Sequence, residues 1–338
     1  MYMKNMLRYR SVWLGIALIW VMLFHCPLDM GPFYYFKSIG YGGVDICLFA
    51  SGIGCFFSLS AESDPVCFMK RRIKRLVPTY LVFIVFWLAF QAFAGDFGFQ
   101  MAIGNILAVQ DFTGLGNSFN WYISAIFLLY LLAPYFKIIV DKASKINKIL
   151  FLIFLIVFSI PFWNAENYLI TITRLPIFYI GMLFADMCVK GKTLSRKHGL
   201  PIVGVLIFGI GMLLALILLF PDYLWSHGLY WYPFIVITPP LCLTISSVSA
   251  LLEKCKITKP IVAFLSLCGE YSFELYLVHI LIKSCTTYVI RHLDLSAYAS
   301  WIWLASIVPV FVCCFLLRKL TTLLTGLFNK TKKQITNS

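Results

Sequence analysis

Ten apolar stretches, each close to the ~20 residues a helix needs to cross a bilayer, divide almost the whole chain between them. They fall at approximately 11–28, 39–60, 76–94, 119–137, 149–163, 173–189, 201–220, 229–251, 261–284 and 299–317. Only 12% of the residues are charged, against about 25% in soluble domains. A soluble protein of this size could not hide that much apolar surface, so the bilayer is its solvent. The expected fold is all-α: a polytopic membrane helix bundle of about ten transmembrane helices. No repeat, low-complexity segment or linker interrupts it, so residues 1–338 are expected to form one domain without an appended soluble one.

Charge placement gives an orientation. Of the 28 Lys and Arg residues, 24 lie in alternate connections or at the termini. This asymmetry supports ten spans with both termini cytoplasmic. It also reassigns the net charge of +14 from nucleic acid to topology, and no nucleic-acid partner is expected. Lys4, Arg8 and Arg10 precede the first apolar run as in a signal peptide. His25, Cys26 and Pro27 stand where a small-residue cleavage site would be, so the first helix is expected to be retained. The 11 cysteines lie mostly within spans at no ligand-like spacing, and neither a metal site nor a disulfide framework is expected. Trp and Tyr crowd the span ends. Interfacial anchoring is the default reading, and stacking on a sugar is the alternative.

Against this background two polar residues stand out. His25 closes the uncharged stretch Trp13 to Cys26, and Asp45 lies within the second span. A carboxylate at a helix centre costs roughly +2.5 to +3.5 kcal/mol on insertion scales, and such groups mark function more often than packing. By helical rise His25 lies roughly 22 Å along the helix from Arg10, and Asp45 about 9 Å below the outer end of its span. Antiparallel neighbours would place both in the outer half of the bilayer. A carboxylate on one ring nitrogen would leave the other basic, ready to take a proton from an alcohol. A structural polar clamp is the competing reading. The ninth span carries Glu270 and Glu274 on one face, with His279 about 140° away, and Arg174 opens the sixth.

On the other side, Lys70, Arg71, Arg72, Lys74 and Arg75 form the densest basic cluster, ahead of Pro78. Topology, anionic lipid and a bidentate phosphate site all account for it. No glycine-rich nucleotide cradle accompanies it. Between these sites Gly40, Gly42, Gly43, Ser51, Gly52 and Gly54 thin the second helix, either for close packing or for a slender ligand.

Taken together and in order, several segments resemble the integral-membrane acyltransferase 3 family, which includes surface-polysaccharide O-acetyltransferases and fucose 4-O-acetylase-like proteins. They are Leu23–Phe24–His25; Gly43–Val44–Asp45 through Ser51–Gly52; Arg71–Arg72 with Arg75 and Pro78; Asn120–Trp121–Tyr122; Arg174–Leu175–Pro176 with Gly181; and Leu275–Tyr276–Leu277 with His279. The resemblance implies a ten-helix protein, expected in a bacterial cytoplasmic membrane. It would move an acetyl or other short acyl group from cytoplasmic acyl-CoA to a hydroxyl of a cell-surface or lipid-linked glycan, with no metal. It assigns His25 as the essential histidine, with Asp45 as its expected partner, and Arg71, Arg72 and Arg75 to the CoA donor. Asn120, Trp121, Arg174, Glu270, Glu274 and His279 are acceptor-side or supporting candidates. One departure is that the family's arginine eleven positions before the histidine is Leu14 here. Arg10, one turn earlier on the same face, is the expected substitute. A transporter or flippase of a lipid-linked sugar, with Glu270, Glu274 and His279 as a proton relay, is the alternative function. The acceptor sugar and the oligomeric state are not legible.

Overall fold

The computed structural model describes residues 2–28, 30–113, 121–192 and 198–336. Among them there is no strand. A short α1 (Tyr2–Arg8) precedes α2 (Arg10–His25), and a small α3 (Tyr34–Ser38) leads into α4 (Gly42–Ala61). Helix α5 (Pro65–Ala94) is followed by α6 (Phe99–Leu107) and α7 (Gln110–Thr113). Then come α8 (Trp121–Lys142), α9 (Lys145–Val157), α10 (Glu166–Ile172), α11 (Leu175–Val189), α12 (Gly199–Leu219) and α13 (Tyr232–Leu252). The last four are α14 (Lys259–Glu270), α15 (Ser272–His292), α16 (Ala299–Ala305) and α17 (Ile307–Thr336).

Among the described residues, nine helical segments are long and apolar enough to span a bilayer, and the shorter apolar α2 stands beside them. The bundle is the all-α polytopic architecture expected from the apolar periodicity. Its outward faces carry large apolar side chains, such as Val85, Phe208 and Leu218, which are 65%, 66% and 78% exposed. Only hydrocarbon makes that surface stable.

Three boundaries differ most from the expected ones, and in the tenth span the chain breaks at Ser306, so that its membrane-length part begins at Ile307 and not at 299. The third span does not begin at 76. Asp64 accepts the N–H groups of Val66 and Cys67 at 3.2 and 3.0 Å, and Pro65 takes the first helical position. This cap starts α5 at Pro65, so the basic cluster lies on a continuous helix. The ninth span is broken at Tyr271, and the membrane-length part is α15, beginning at Ser272.

Small residues set the helix contacts. A Cβ on Gly52 would meet the Phe178 carbonyl oxygen at 2.1 Å, and one on Gly181 would meet that of Phe49 at 2.3 Å. This locks α4 against α11. A Cβ on Gly43 would come within 2.3 Å of the Ala17 carbonyl oxygen of α2, and Gly15 and Gly269 let α2 and α14 touch backbone to backbone. Ser11 and Ser266 share a hydrogen bond across that contact at 2.6 Å. Close approach of this kind substitutes for the missing hydrophobic drive between helices in lipid.

The Gly-rich connection after α5 is not a simple external loop. The Tyr80 hydroxyl donates to the carbonyl of Asn105, and the Ser124 hydroxyl donates to that of Ala108 at 2.7 Å. Tyr80 lies 14 residues before the end of α5, about 21 Å by helical rise. The chain therefore folds back into the bundle through α6, turns at Ala108 (φ 55°) and buries Asn105, Gln110 and Asp111.

Candidate functional site

Arg10 on α2 and Arg72 and Arg75 on α5 converge on one cavity. Residues 72, 75, 76 and 79 share a face of α5, because three and four positions return to the same side of a helix. Arg72 is buried, donates to the Gly54 carbonyl at 2.8 Å, and lies 5.0 and 5.2 Å from the rings of Phe68 and Tyr130. Arg10 donates to the Ala50 carbonyl at 3.3 Å. The Nε atoms of both are buried without a hydrogen-bond partner. None of the three guanidinium groups forms an ion pair with a carboxylate among the described residues. Three unpaired cations facing one space make an anion site. The cavity, about 80 Å³, merges through Arg10, Leu14, Arg75 and Leu76 with a wider vestibule of about 620 Å³.

Arg71 does not join them. It faces outward and donates to the carbonyl of Ser58 at 3.2 Å. Its position, 100° round the helix from Arg72, turns it away. Arg10 and Leu14 line the same cavity, so the guanidinium expected one turn higher reaches the space from below. Of the glycines on α4, Gly54 faces Arg10, whose Nη2 would lie 3.3 Å from a Cβ there. Gly43 and Gly52 serve packing instead.

Besides the arginines the cavity is lined by Leu18, Val21, Val44 and Cys47 and by Tyr122 and Tyr276, whose rings are 4.7 Å apart. Next to Tyr276 comes His279, with ring centroids 5.8 Å apart, and next to His279 comes His25, at 5.3 Å. His25 Nδ1 lies 3.1 Å from the carbonyl of Val21, and His279 Nδ1 lies 2.8 Å from that of Leu275. A carbonyl only accepts, so each Nδ1 carries a proton, and in the neutral ring Nε2 is the atom that keeps the lone pair. His279 Nε2 is buried with no partner. Val21 is one turn, about 6 Å, from His25, so only that turn separates the cavity from the imidazole.

Asp45 is not the partner of His25. Its Oδ1 lies 3.7 Å from Nε of Arg174, and both residues are fully buried. Arg174 is held between the rings of Trp231 and Trp121, at 4.3 and 5.0 Å, and donates to the Ile170 carbonyl at 2.9 Å. The helix register explains the correction. Gly43 opposes Ala17 and Gly40 opposes Trp20, so Asp45 is level with about Gly15, some ten residues or ~15 Å from the level of His25. The His25 end is occupied by α15 instead. Trp121 thus belongs to the Arg174 cluster, and Asn120 lies outside the described residues.

The acidic pair of the ninth span is also placed elsewhere. Glu274 forms a two-point pair with Arg318, both bonds 2.9 Å, and the Glu270 carbonyl accepts from the same guanidinium. The Glu270 side chain is exposed and lines the arginine-side vestibule. Among the described residues Glu274 thus pairs with Arg318 and not with His279. Sequence reasoning did not single out Tyr276 as part of the cavity wall, nor the buried Gln110 and Asp111. A hint for the latter was the absence of Lys and Arg from the connection that carries them. Among the described residues no group of three His, Cys, Asp or Glu side chains is arranged to hold a metal ion.

A family model described as an acyltransferase domain matches residues 15–319. No curated protein and no solved structure gave a match.

Proposed function

The chain belongs to the acyltransferase 3 family, and from that premise we propose that it takes an acetyl or other short acyl group from cytoplasmic acyl-CoA and passes it to a hydroxyl of an envelope glycan. The membrane would be a bacterial cytoplasmic one, with the arginine-rich end inside. The observation that carries this reading is the single line of groups from Arg72 and Arg10, through a narrow cavity, to Tyr276, His279 and His25.

CoA is anionic at its nucleotide end and thin along its arm. Arg75 at the mouth meets the phosphates first, and Arg10 and Arg72 supply buried donors beyond it. The arm then runs beside Leu14, Leu18 and Val21 on α2, with its thioester towards Tyr122 and Tyr276. Reaction requires side chains between the cavity and His25 to move aside while α2 stays intact, so that the thioester and the imidazole meet.

His25 has the geometry of a general base. Its Nδ1–H is fixed by the Val21 carbonyl, the orienting task expected of Asp45, and Nε2 is free to take the proton of the acceptor hydroxyl. The oxygen attacks the thioester carbonyl, a C–O bond forms, the C–S bond breaks, and the departing thiolate takes the proton. Alternatively Nε2 attacks the thioester first, an N–C bond forms as the C–S bond breaks and the thiolate leaves, and the acceptor oxygen then takes the acyl group from the imidazole as its proton passes to the thiolate. Incubating purified protein with labelled acetyl-CoA and candidate glycans tests the reading. Labelled ester on the glycan supports it, and glycan movement without modification would replace it with the transporter.

A further inference from the structure

The re-entrant segment after α5 carries polar groups that neither the donor cavity nor the histidine pair uses. Asn105, Gln110 and Asp111 are 0%, 1% and 2% exposed. Buried polar side chains nearly always find a partner. Here Asn105 Oδ1, Gln110 Oε1 and Nε2, and Asp111 Oδ2 have none. Each such group is costly, and they are gathered in one short stretch of chain.

The main chain around them is pinned. Tyr80 donates to the Asn105 carbonyl and Ser124 to that of Ala108, and the Tyr168 hydroxyl donates to that of Phe112 at 2.7 Å. Helices α5, α8 and α10 thus each supply a hydroxyl that fixes the segment. A fixed backbone that presents unpaired polar side chains is a pre-organised site.

The unpaired atoms select the occupant. The Gln110 amide offers both a donor and an acceptor, and Asn105 Oδ1 and Asp111 Oδ2 add acceptors. A metal cation would satisfy the oxygens and leave Gln110 Nε2 unpaired. An anion would be repelled by the Asp111 carboxylate, and residues 95–118 contain no Lys or Arg to offset it. Hydroxyl groups both donate and accept, and so complete the whole set. Location separates a sugar from internal water. The Asp111 carboxyl is within electrostatic reach of the Tyr276 hydroxyl. Tyr276 lines the donor cavity and its ring neighbours that of His279 at 5.8 Å.

We infer that Gln110 and Asp111 form the subsite that holds the acceptor, gripping the hydroxyls of an uncharged sugar ring, with Asn105 Oδ1 as a further hydrogen-bond acceptor. This rests on the acyl-transfer reading and adds the residues that choose the acceptor. A neutral ring is taken there and a uronic acid is refused.

The test is transfer from labelled acetyl-CoA, by the purified full chain in detergent, to methyl glycosides of neutral hexoses and of hexuronic acids. The neutral glycosides should be acylated at least ten-fold faster. Gln110→Leu keeps the bulk of the side chain and loses its polar atoms. It should raise KM for the neutral glycoside about ten-fold and leave KM for acetyl-CoA within two-fold. It should also raise the unfolding temperature, because unpaired groups leave the interior. Asp111→Leu should raise the glycoside KM likewise. Asp111→Asn should hold it within three-fold and accept hexuronic acids better than the wild type does. An unchanged glycoside KM in both Leu variants would assign these groups to internal water, overturning the inference and leaving acyl transfer standing. Equal use of neutral and acidic glycosides would also overturn it, as would neither transfer nor a thermal shift with any glycoside. Glycosides that stabilise the wild type and not Gln110→Leu, with no acyl group ever transferred, would uphold the site and sink the acyl-transfer reading.

Discussion

His25 and His279 face each other from α2 and α15 with ring centroids 5.3 Å apart, and each Nδ1 is tied to the carbonyl four residues before it. The two imidazoles thus meet one turn beyond Val21, which lines the arginine-bearing cavity. His25→Ala should abolish acyl transfer in a normally folded protein. His279→Asn should lower it by something like the 10²- to 10⁴-fold that general acid–base groups contribute. Transfer by His25→Ala at the wild-type rate would remove this imidazole from the mechanism.

On the proposed acyl-CoA reading, the arginines separate into those that line the cavity and one that does not. Loss of a hydrogen bond to a charged group costs about 1.5–3 kcal/mol, so Arg72→Gln and Arg10→Gln should each weaken CoA binding by about ten- to a hundred-fold. Arg71→Gln should stay within about two-fold. Because Arg75 is exposed, its contribution should fade with added salt while that of Arg72 persists. Titrating CoA into the four variants at low and high salt checks the order, and an effect at Arg71 equal to that at Arg72 would contradict it.

Two glycines of α4 should behave differently. Gly52→Ala drives a methyl to 2.1 Å from the Phe178 carbonyl, and overpacking of this kind costs about 1–3 kcal/mol. A lower unfolding temperature in detergent is the expected result. Gly54→Ala meets only the flexible end of Arg10 at 3.3 Å. It should leave stability nearly unchanged and weaken CoA binding.

Arg174 and Asp45 should act as a unit. Removing one partner of a buried pair typically costs 3–5 kcal/mol, because the other charge is left uncompensated. Arg174→Leu should therefore destabilise strongly, and Arg174→Leu with Asp45→Leu should recover much of the loss. A double variant no more stable than the single one would mean that the tryptophan cage around the guanidinium, rather than the charge pair, holds this region.

Asp111 provides a pH signature. Burial raises its carboxyl from 3.8 to about 7. Between those values the folded state holds a proton that the unfolded chain has released. The stability that this carboxyl contributes is greatest below about pH 4 and falls as the pH rises towards 7, with the loss complete above that. Asp111→Asn should flatten this part of the profile and raise the unfolding temperature at pH 8. A wild-type profile with no slope in that window would show that the carboxylate is ionised in place.

Much of this was legible along the chain. The spans follow from the need of every backbone polar group in lipid for an internal partner, which makes apolar length a direct readout of helices. The start of α5 was written in Asp64 and Pro65, and the arginine face in the spacing of Arg72, Arg75 and Leu76. His25 and Asp45 were both legible as expensive residues, but their partners were not. A polar residue in a helix advertises its cost locally, whereas the residue that relieves it is selected by the register of two helices. That register is set here by Gly43 against Ala17 and Gly40 against Trp20.

By itself, then, the order of residues determined that this chain is a membrane helix bundle, where its cations gather and which side chains are too costly to be idle. Tertiary structure alone decided that Asp45 pairs with Arg174 and that His25 turns to His279. The physical reason is that insertion into lipid is a sum over each segment's own residues, whereas side-chain pairing depends on the depth and rotation of helices far apart in sequence, as α2 and α15 are.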